Sequence, residues 1–351
     1  MLMKLRFKNF NPSGPEFQYL EDLATAYWYS EVLFAAIELD LFDLIDKGHQ
    51  TIDALSMAAS CKVEALNRMI NVLERLELIH FTGKGWVNSH AARLYLIHES
   101  DGYMGNFFLY RKYMKRGWEN ILEKITTEKA LKVNSLSSDD PYEKRTFNYV
   151  RAMDEIARRK AEEIEKIMHK KLWQPPILDI GGGAGAVSRR LIREENNTKS
   201  LLFDLPEVIQ AAVALYPNES DWKGLQPVGG NFIGYEFEED NRFGVVLLSN
   251  FLHIYAEDTA RFVLEKSLKM LTDDGLVLIH DYFPDRIGKF SHKGALYDLN
   301  MMLNTCEGVC RNSSQIIRWL KANGMTYIET HDLSSDSAII LASMTKLRNV
   351  E

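Results

Sequence analysis

Cysteine is scarce in this chain, positive charge is in deficit, and no apolar run is long. Each shortfall excludes something. With 3 cysteines in 351 residues (Cys61, Cys306 and Cys310), a disulfide-built secreted scaffold is excluded. No cleavable signal peptide is evident either, so a reducing, cytoplasmic setting is expected. Cys306 and Cys310 lie four apart, yet no nearby cysteine or histidine pair completes a ligand set, and no metal is expected. A formal net charge of -7 has the wrong sign for a general nucleic-acid binder. No stretch approaches the roughly 18–20 apolar residues of a membrane span, so no membrane partner is expected. What is there is ordinary globular composition, 46% hydrophobic and 26% charged, enough for a core and long enough for two domains.

The chain is organised around Ile177-Leu178-Asp179-Ile180-Gly181-Gly182-Gly183-Ala184-Gly185-Ala186. A short apolar run ends in an acid, breaks into glycines, and is followed by the helical pattern Val187–Ile192. Strand, glycine turn and helix in that order open a doubly wound nucleotide-binding fold. The stretch fits two patterns. Gly181, Gly183 and Ala186 fit the dinucleotide fingerprint; Asp179, Gly181, Gly183 and Gly185 fit the acid-x-glycine-x-glycine-x-glycine of S-adenosylmethionine (SAM) sites. A tight turn that binds nothing has the same appearance.

Upstream, the breakers Asn11, Pro12, Gly14 and Pro15 make residues 1–18 irregular. Helices are expected from Tyr19 to about Asp46, after a cap at Thr51, and over 62–78; Ile79 to Asn88 reads as a hairpin. Three helices and a hairpin form a winged-helix arrangement. Its would-be recognition helix balances Lys62, Arg68 and Arg75 against Glu64, Glu74 and Glu77, which argues against DNA and for packing. The apolar segment from Ala26 through Ala36 suits a subunit interface. Residues 100–172 read as mostly helical, with Arg158-Arg159-Lys160 as a solvated face and Phe147, Val150, Met153 and Ile156 as an apolar stripe. Pro175-Pro176 ends the helices and marks a boundary.

Beyond it strands alternate with helices: strands at 177–180, 200–203, near 226–228, 245–248 and 276–279, a helix at 257–271, another at 313–323, and strands near 325–330 and 337–343. In such a fold the ligand lies at the carboxyl ends of the strands. Candidate residues fall there. Asp204 ends the second strand, where an acid accepts hydrogen bonds from both ribose hydroxyls, or caps a helix. Asn231 and Phe232 follow the third strand and suit an adenine ring. Ser249 and His253 follow the fourth. His253 can act as a general base near neutral pH, with Asp281, past the fifth, orienting its ring.

Leu178 to Gly185, Phe203-Asp204-Leu205-Pro206-Glu207-Val208, Gly229-Gly230-Asn231-Phe232 and Phe251-Leu252-His253 together resemble the SAM-dependent O-methyltransferases of the plant caffeate and bacterial polyketide or acetylserotonin type. The resemblance covers nearly the whole chain. It implies a mostly α-helical winged-helix dimerisation domain (1–105), a helical connector covering the substrate cleft (106–174), and a Rossmann-like doubly wound α/β SAM-binding domain (175–351). It implies SAM as cofactor, S-adenosylhomocysteine as product, a small-molecule acceptor and a homodimer. By the resemblance Asp179, Gly181, Gly183 and Gly185 belong to the cofactor loop, with the glycines against the methionine moiety. Asp204 holds the ribose, Leu205, Asn231 and Phe232 contact the adenine, and Ser249 meets the SAM carboxylate. His253 is the catalytic base, and Met153, Met301 and Met302 line the acceptor pocket. The chain departs from the family at four points. The triplet His253-Ile254-Tyr255 replaces His-Asp-Trp, Asn231 replaces an acid, Asp281 replaces a glutamate, and Cys310 falls where a second glutamate is usual, with Glu307 near it. Three alternatives remain at this stage: a SAM-binding relative acting on carbon, nitrogen or sulfur, an NAD-dependent oxidoreductase, and a SAM-responsive winged-helix regulator.

Overall fold

The computed structural model describes residues 17–127, 141–192, 200–238, 240–286, 291–334, 336–346 and 349. The chain divides into two compact units, Met1–Lys112 and Tyr113–Glu351.

In the first unit, α1 (Phe17–Ala24), α2 (Tyr27–Glu38), α3 (Leu41–Asp46), α4 (Ile52–Ala58) and α5 (Val63–Arg75) precede the antiparallel hairpin β1 (Ile79–Phe81) and β2 (Trp86–Asn88), then α6 (His90–Tyr95). Thr51 caps α4 as its sequence suggests, its hydroxyl accepting from the Ala54 amide at 3.3 Å. Leu66, Ile70 and Leu73 fall on one face of α5 and are buried with Ile37, Leu41, Phe42 and Ile45. The apolar segment Ala26–Ala36, expected at an interface, splits in two. Ala36 packs in the unit's own core with Ile37 next to it, and Phe34 is buried, whereas Tyr27 and Trp28 lie exposed at the start of α2; α1, before the segment, buries nothing.

The second unit holds a seven-stranded sheet in the order β5-β4-β3-β6-β7-β9-β8. The strands are β3 (Ile177–Ile180), β4 (Ser200–Asp204), β5 (Leu225–Gly229), β6 (Phe243–Ser249), β7 (Leu271–Asp281), β8 (Tyr327–Asp332) and β9 (Ala338–Ser343). β3 to β7 run parallel; β9 is antiparallel to both β7 and β8. The period of two divides the central strands cleanly. Leu178, Ile180, Val246, Leu248, Val277 and Ile279 face a core shared with α12 (Glu257–Leu268) and α14 (Ser313–Ala322). Ile177, Val245, Leu247, Leu276 and Leu278 face the opposite core, shared with α9 (Tyr142–Met168) and α10 (Ala186–Leu191). Helix α7 (Gly105–Glu119) spans the division at Lys112 and Tyr113, α8 (Ile121–Thr126) precedes α9, and α11 (Pro206–Leu215) and α13 (Ser291–Asn304) lie further along.

Several sequence expectations are corrected. β7 is longer than expected, reaching from Leu271 to Asp281, because it pairs at its start with Phe243 across an irregular register. Helix α13 has no counterpart in the sequence pattern, since its apolar residues follow no clean helical face. Lys160 is buried, whereas Arg158 and Arg159 are exposed. The reason is helical phase: Lys160 stands one turn before Ile164 and two before Met168, both on the buried face of α9.

Candidate active site

The site is built on the carboxyl ends of the parallel strands. At the end of β3 the chain turns through Gly181, whose amide still donates to the Phe203 carbonyl at 2.8 Å. Gly181 has φ +67°, and a Cβ there would collide with the Phe251 ring. Gly183 has φ +60°, and a Cβ there would meet open space, so its backbone faces room for a ligand. Asp204, at the end of β4, fixes this loop: its carboxylate accepts from the Gly183 amide at 2.9 Å and from the Leu205 amide at 2.7 Å. Burial raises the Asp204 pKa, and those two amides counter part of the rise. Pro206 then starts α11 at a position where its missing N–H costs nothing. Leu205 is exposed beside it.

Asp179 is buried beneath the loop. Burial pushes its pKa up to about 6, with the neighbouring Ser188 pulling it down in part and the nearby Asp204 charge adding to the rise. Its Oδ1 has no hydrogen-bond partner among the described residues. The same is true of Asn250 Oδ1, one residue past β6, where the backbone adopts φ +53°.

His253 sits in a short 3-10 turn, Leu252–Ile254, just past β6. Its Nδ1 lies 2.5 Å from Asp281 Oδ1, and both residues are buried. The same Asp281 oxygen accepts from the Tyr282 amide at 2.8 Å. Arg311 clamps the turn from behind, donating to the Leu252 carbonyl at 2.9 Å and the Tyr255 carbonyl at 2.7 Å, and the Val309 amide donates to the His253 carbonyl at 2.9 Å. The His253 ring meets Tyr297 edge-on at 6.1 Å, and Tyr297 stacks on Tyr282 at 3.6 Å. Tyr282, Tyr297, Met301 and Cys310 form one apolar cluster.

The sequence-selected residues therefore separate into groups. Asp179, Gly181, Gly183, Gly185, Asp204 and Leu205 gather on the ends of β3 and β4. His253 and Asp281 pair directly. Ser249 Oγ lies 2.8 Å from His280 Nδ1. Met301 is buried, Met302 half-buried beside it, and Met153 half-buried on α9. Phe232 turns its ring inward against Phe203 and Phe237, with the Lys266 ammonium 5.2 Å from its centre. Asn231 is exposed and accepts from the Ile233 amide at 3.1 Å. Cys310 is buried, so its thiol pKa is raised, chiefly by desolvation and then by the Asp281 charge; Glu307 is exposed. Arg311, Asn250, His280 and Tyr297 escaped sequence reasoning. No spacing marks them, although Arg311 adjoins Cys310 and His280 adjoins Asp281.

A mostly parallel sheet with a glycine loop at one strand end and a histidine–aspartate pair at others defines an α/β enzyme whose ligands meet at the carboxyl edge. Comparison with known proteins makes this specific. Residues 120–326 match the O-methyltransferase domain, and residues 21–98 match the O-methyltransferase dimerisation domain. The chain belongs to the O-methyltransferase family. Its relatives include acetylserotonin O-methyltransferase of Bos taurus, 22% identical over 307 residues that cover 83% of this chain and 88% of the relative. Another is 3-hydroxy-5-methyl-1-naphthoate 3-O-methyltransferase of Streptomyces sahachiroi, 24% identical over 331 residues, 91% of this chain and 92% of the relative. The crystal structure of human N-acetylserotonin methyltransferase in complex with SAM shares the fold, with a TM-score of 0.79 at 21% identity, over 95% of this chain and 99% of that one.

Proposed function

We propose that this enzyme transfers a methyl group from SAM to a hydroxyl of a small aromatic or enolic molecule, with His253 as general base. The observation that carries the reading is the buried His253–Asp281 pair beside a glycine loop that leaves backbone facing open space. The cofactor fits the residues present. SAM bears a cationic sulfonium and an ammonium, and two buried carbonyl-type oxygens, Asp179 Oδ1 and Asn250 Oδ1, stand without partners among the described residues. Gly181, Gly183 and Gly185 would lie along the methionine moiety, Asp204 would take the ribose hydroxyls, and Leu205 and Asn231 would border the adenine. Phe232 would support that border from the core. Ser249 would meet the carboxylate.

When bound, SAM supplies an already activated methyl group. His253 Nδ1–H donates to Asp281, which leaves Nε2 as the acceptor of the substrate's hydroxyl proton. The freed oxygen forms its bond to the methyl carbon as the carbon–sulfur bond breaks, and the electron pair stays on sulfur. Asp281 stabilises the imidazolium that results. The proton transfer calls for no metal ion. Met153, Met301 and Met302, with Tyr297, would line the acceptor, and helices α8 and α9 of the connector would cover the cleft. The helices and hairpin of the first unit are read as a winged helix serving dimerisation. Exposed apolar side chains of α1 and the start of α2 would meet a second copy in a cytoplasmic homodimer.

Calorimetric titration with SAM, S-adenosylhomocysteine and NAD tests the reading. Micromolar binding of the first two and none of NAD is expected, followed by methyl uptake on phenolic acceptors. Binding of NAD alone would overturn it. Methyl uptake only on carbon, nitrogen or sulfur acceptors would keep the cofactor and overturn the acceptor class.

A further inference from the structure

Behind the site runs a buried polar assembly, joined to it at Ser249, that takes no part in the proton or methyl transfer. His280, in β7, is 1% exposed. Its Nδ1 lies 2.8 Å from Ser249 Oγ and its Nε2 lies 3.0 Å from Ser337 Oγ. Ser337 accepts from the Lys160 ammonium at 2.9 Å, and that ammonium also faces Asp336 at 3.7 Å. Four segments of the second unit thus contribute: α9, the approach to β9, β7 and β6.

The direction of hydrogen bonding in this chain follows from counting donors. Lys160 has only hydrogens to give, so Ser337 Oγ accepts from it. Among the described residues the Ser337 hydroxyl has one other partner, His280 Nε2. If Nε2 carried the proton, the Ser337 hydrogen would be buried with no acceptor. Ser337 therefore donates to Nε2, and the His280 proton resides on Nδ1. From Nδ1 it is given to Ser249 Oγ. The Ser249 hydrogen is then unspent, since His280 is its one side-chain partner among the described residues. A cation at the far end polarises every link in the same direction.

We propose that His280 is a positioning residue: held by Ser337 and Lys160, it donates to Ser249 and makes the Ser249 hydroxyl an obligate donor to an anionic group, the cofactor's carboxylate. This rests on the SAM reading, because that carboxylate is the acceptor the last link requires. The charges around His280 keep the relay neutral. Burial first, then Lys160, push its pKa down to about 4; Asp281 and Asp336 oppose this, and a charged His253 adds to it. His280 thus stays uncharged near neutral pH, and the donor at Ser249 does not switch off when His253 takes a proton.

Two measurements on the full chain test this. Long-range proton–nitrogen NMR correlation of the ligand-free protein at neutral pH should show His280 uncharged with its proton on Nδ1. A proton on Nε2, or an imidazolium, overturns the proposal. Titration with S-adenosylhomocysteine gives the second test. Ser249→Ala and His280→Gln should each weaken binding about tenfold or more, and the double variant should be no weaker than either single one. His280→Asn keeps a donor near the Nδ1 position and should restore binding to within about threefold. Additive losses, or a His280→Asn variant as weak as His280→Gln with an unchanged melting temperature, overturn the relay alone. Absence of binding by the unmodified chain overturns the cofactor reading and the proposal with it.

Discussion

Two neighbouring stretches of the same sheet edge treat buried polar atoms in opposite ways. At the ends of β3 and β6, Asp179 Oδ1 and Asn250 Oδ1 are buried without partners among the described residues. At the ends of β6 and β7, polar groups are committed: His253 to Asp281, His280 to Ser249 and Ser337, Arg311 to two carbonyls of the turn that carries His253. A buried group without a partner costs about 1–3 kcal/mol. A fold keeps such a cost where a ligand completes the bond, and a stability–function trade-off follows. Committed groups work differently, because they hold a geometry before any ligand arrives. The first stretch is thus suited to taking up a ligand, and the second to presenting preset groups, the base His253 for chemistry and the Ser249 hydroxyl for one cofactor contact.

Substitutions should separate the two. The largest effect is expected on the chemical side: His253→Ala should lower turnover about 10²–10⁴-fold while S-adenosylhomocysteine affinity, read by calorimetry, stays nearly constant. Equal losses in both would merge the two stretches into one function. Asp281→Asn should lower turnover about 10–100-fold, the worth of a charge-assisted hydrogen bond, again with little change in affinity. On the binding side, Asp179→Asn should weaken SAM about tenfold and leave the folded ligand-free chain more stable above neutral pH. The sign follows from the raised pKa of Asp179, about 6. A folded-state pKa above the unfolded one gives stability that is present at low pH and lost as pH rises through about 6. Melting temperatures of the ligand-free chain should therefore lose a component between about pH 4 and 7 that the asparagine variant lacks. Glu307→Gln should be the smallest change, within about twofold on either readout, because Glu307 is exposed and outside both networks. A large loss there would return to Glu307 the role of the family's second acid.

Much of this was legible in the chain itself. The apolar run ending in Asp179 and breaking into glycines carries its own geometry, because residues close in sequence build both the strand end and the turn. Thr51 announces its helix for the same reason. The hairpin from Ile79 to Asn88 is equally local. Lys160 looks in the sequence like part of a solvated charge run, since three adjacent basic residues are alike until helical phase is set by packing. The antiparallel insertion of β9 between β7 and β8 is equally invisible, because strand order is decided by which edges pair.

The sequence by itself determined the family, the glycine loop and the identity of the histidine and aspartate that could pair, since these rest on short segments with local conformational rules. Only the tertiary structure decided which buried atoms were left without partners and which were linked. Arg311 lies 58 residues from His253, and Lys160 meets Ser337 across 177. Such contacts exist because the sheet brings distant strand ends to one edge, where burial makes each hydrogen bond, made or missing, count.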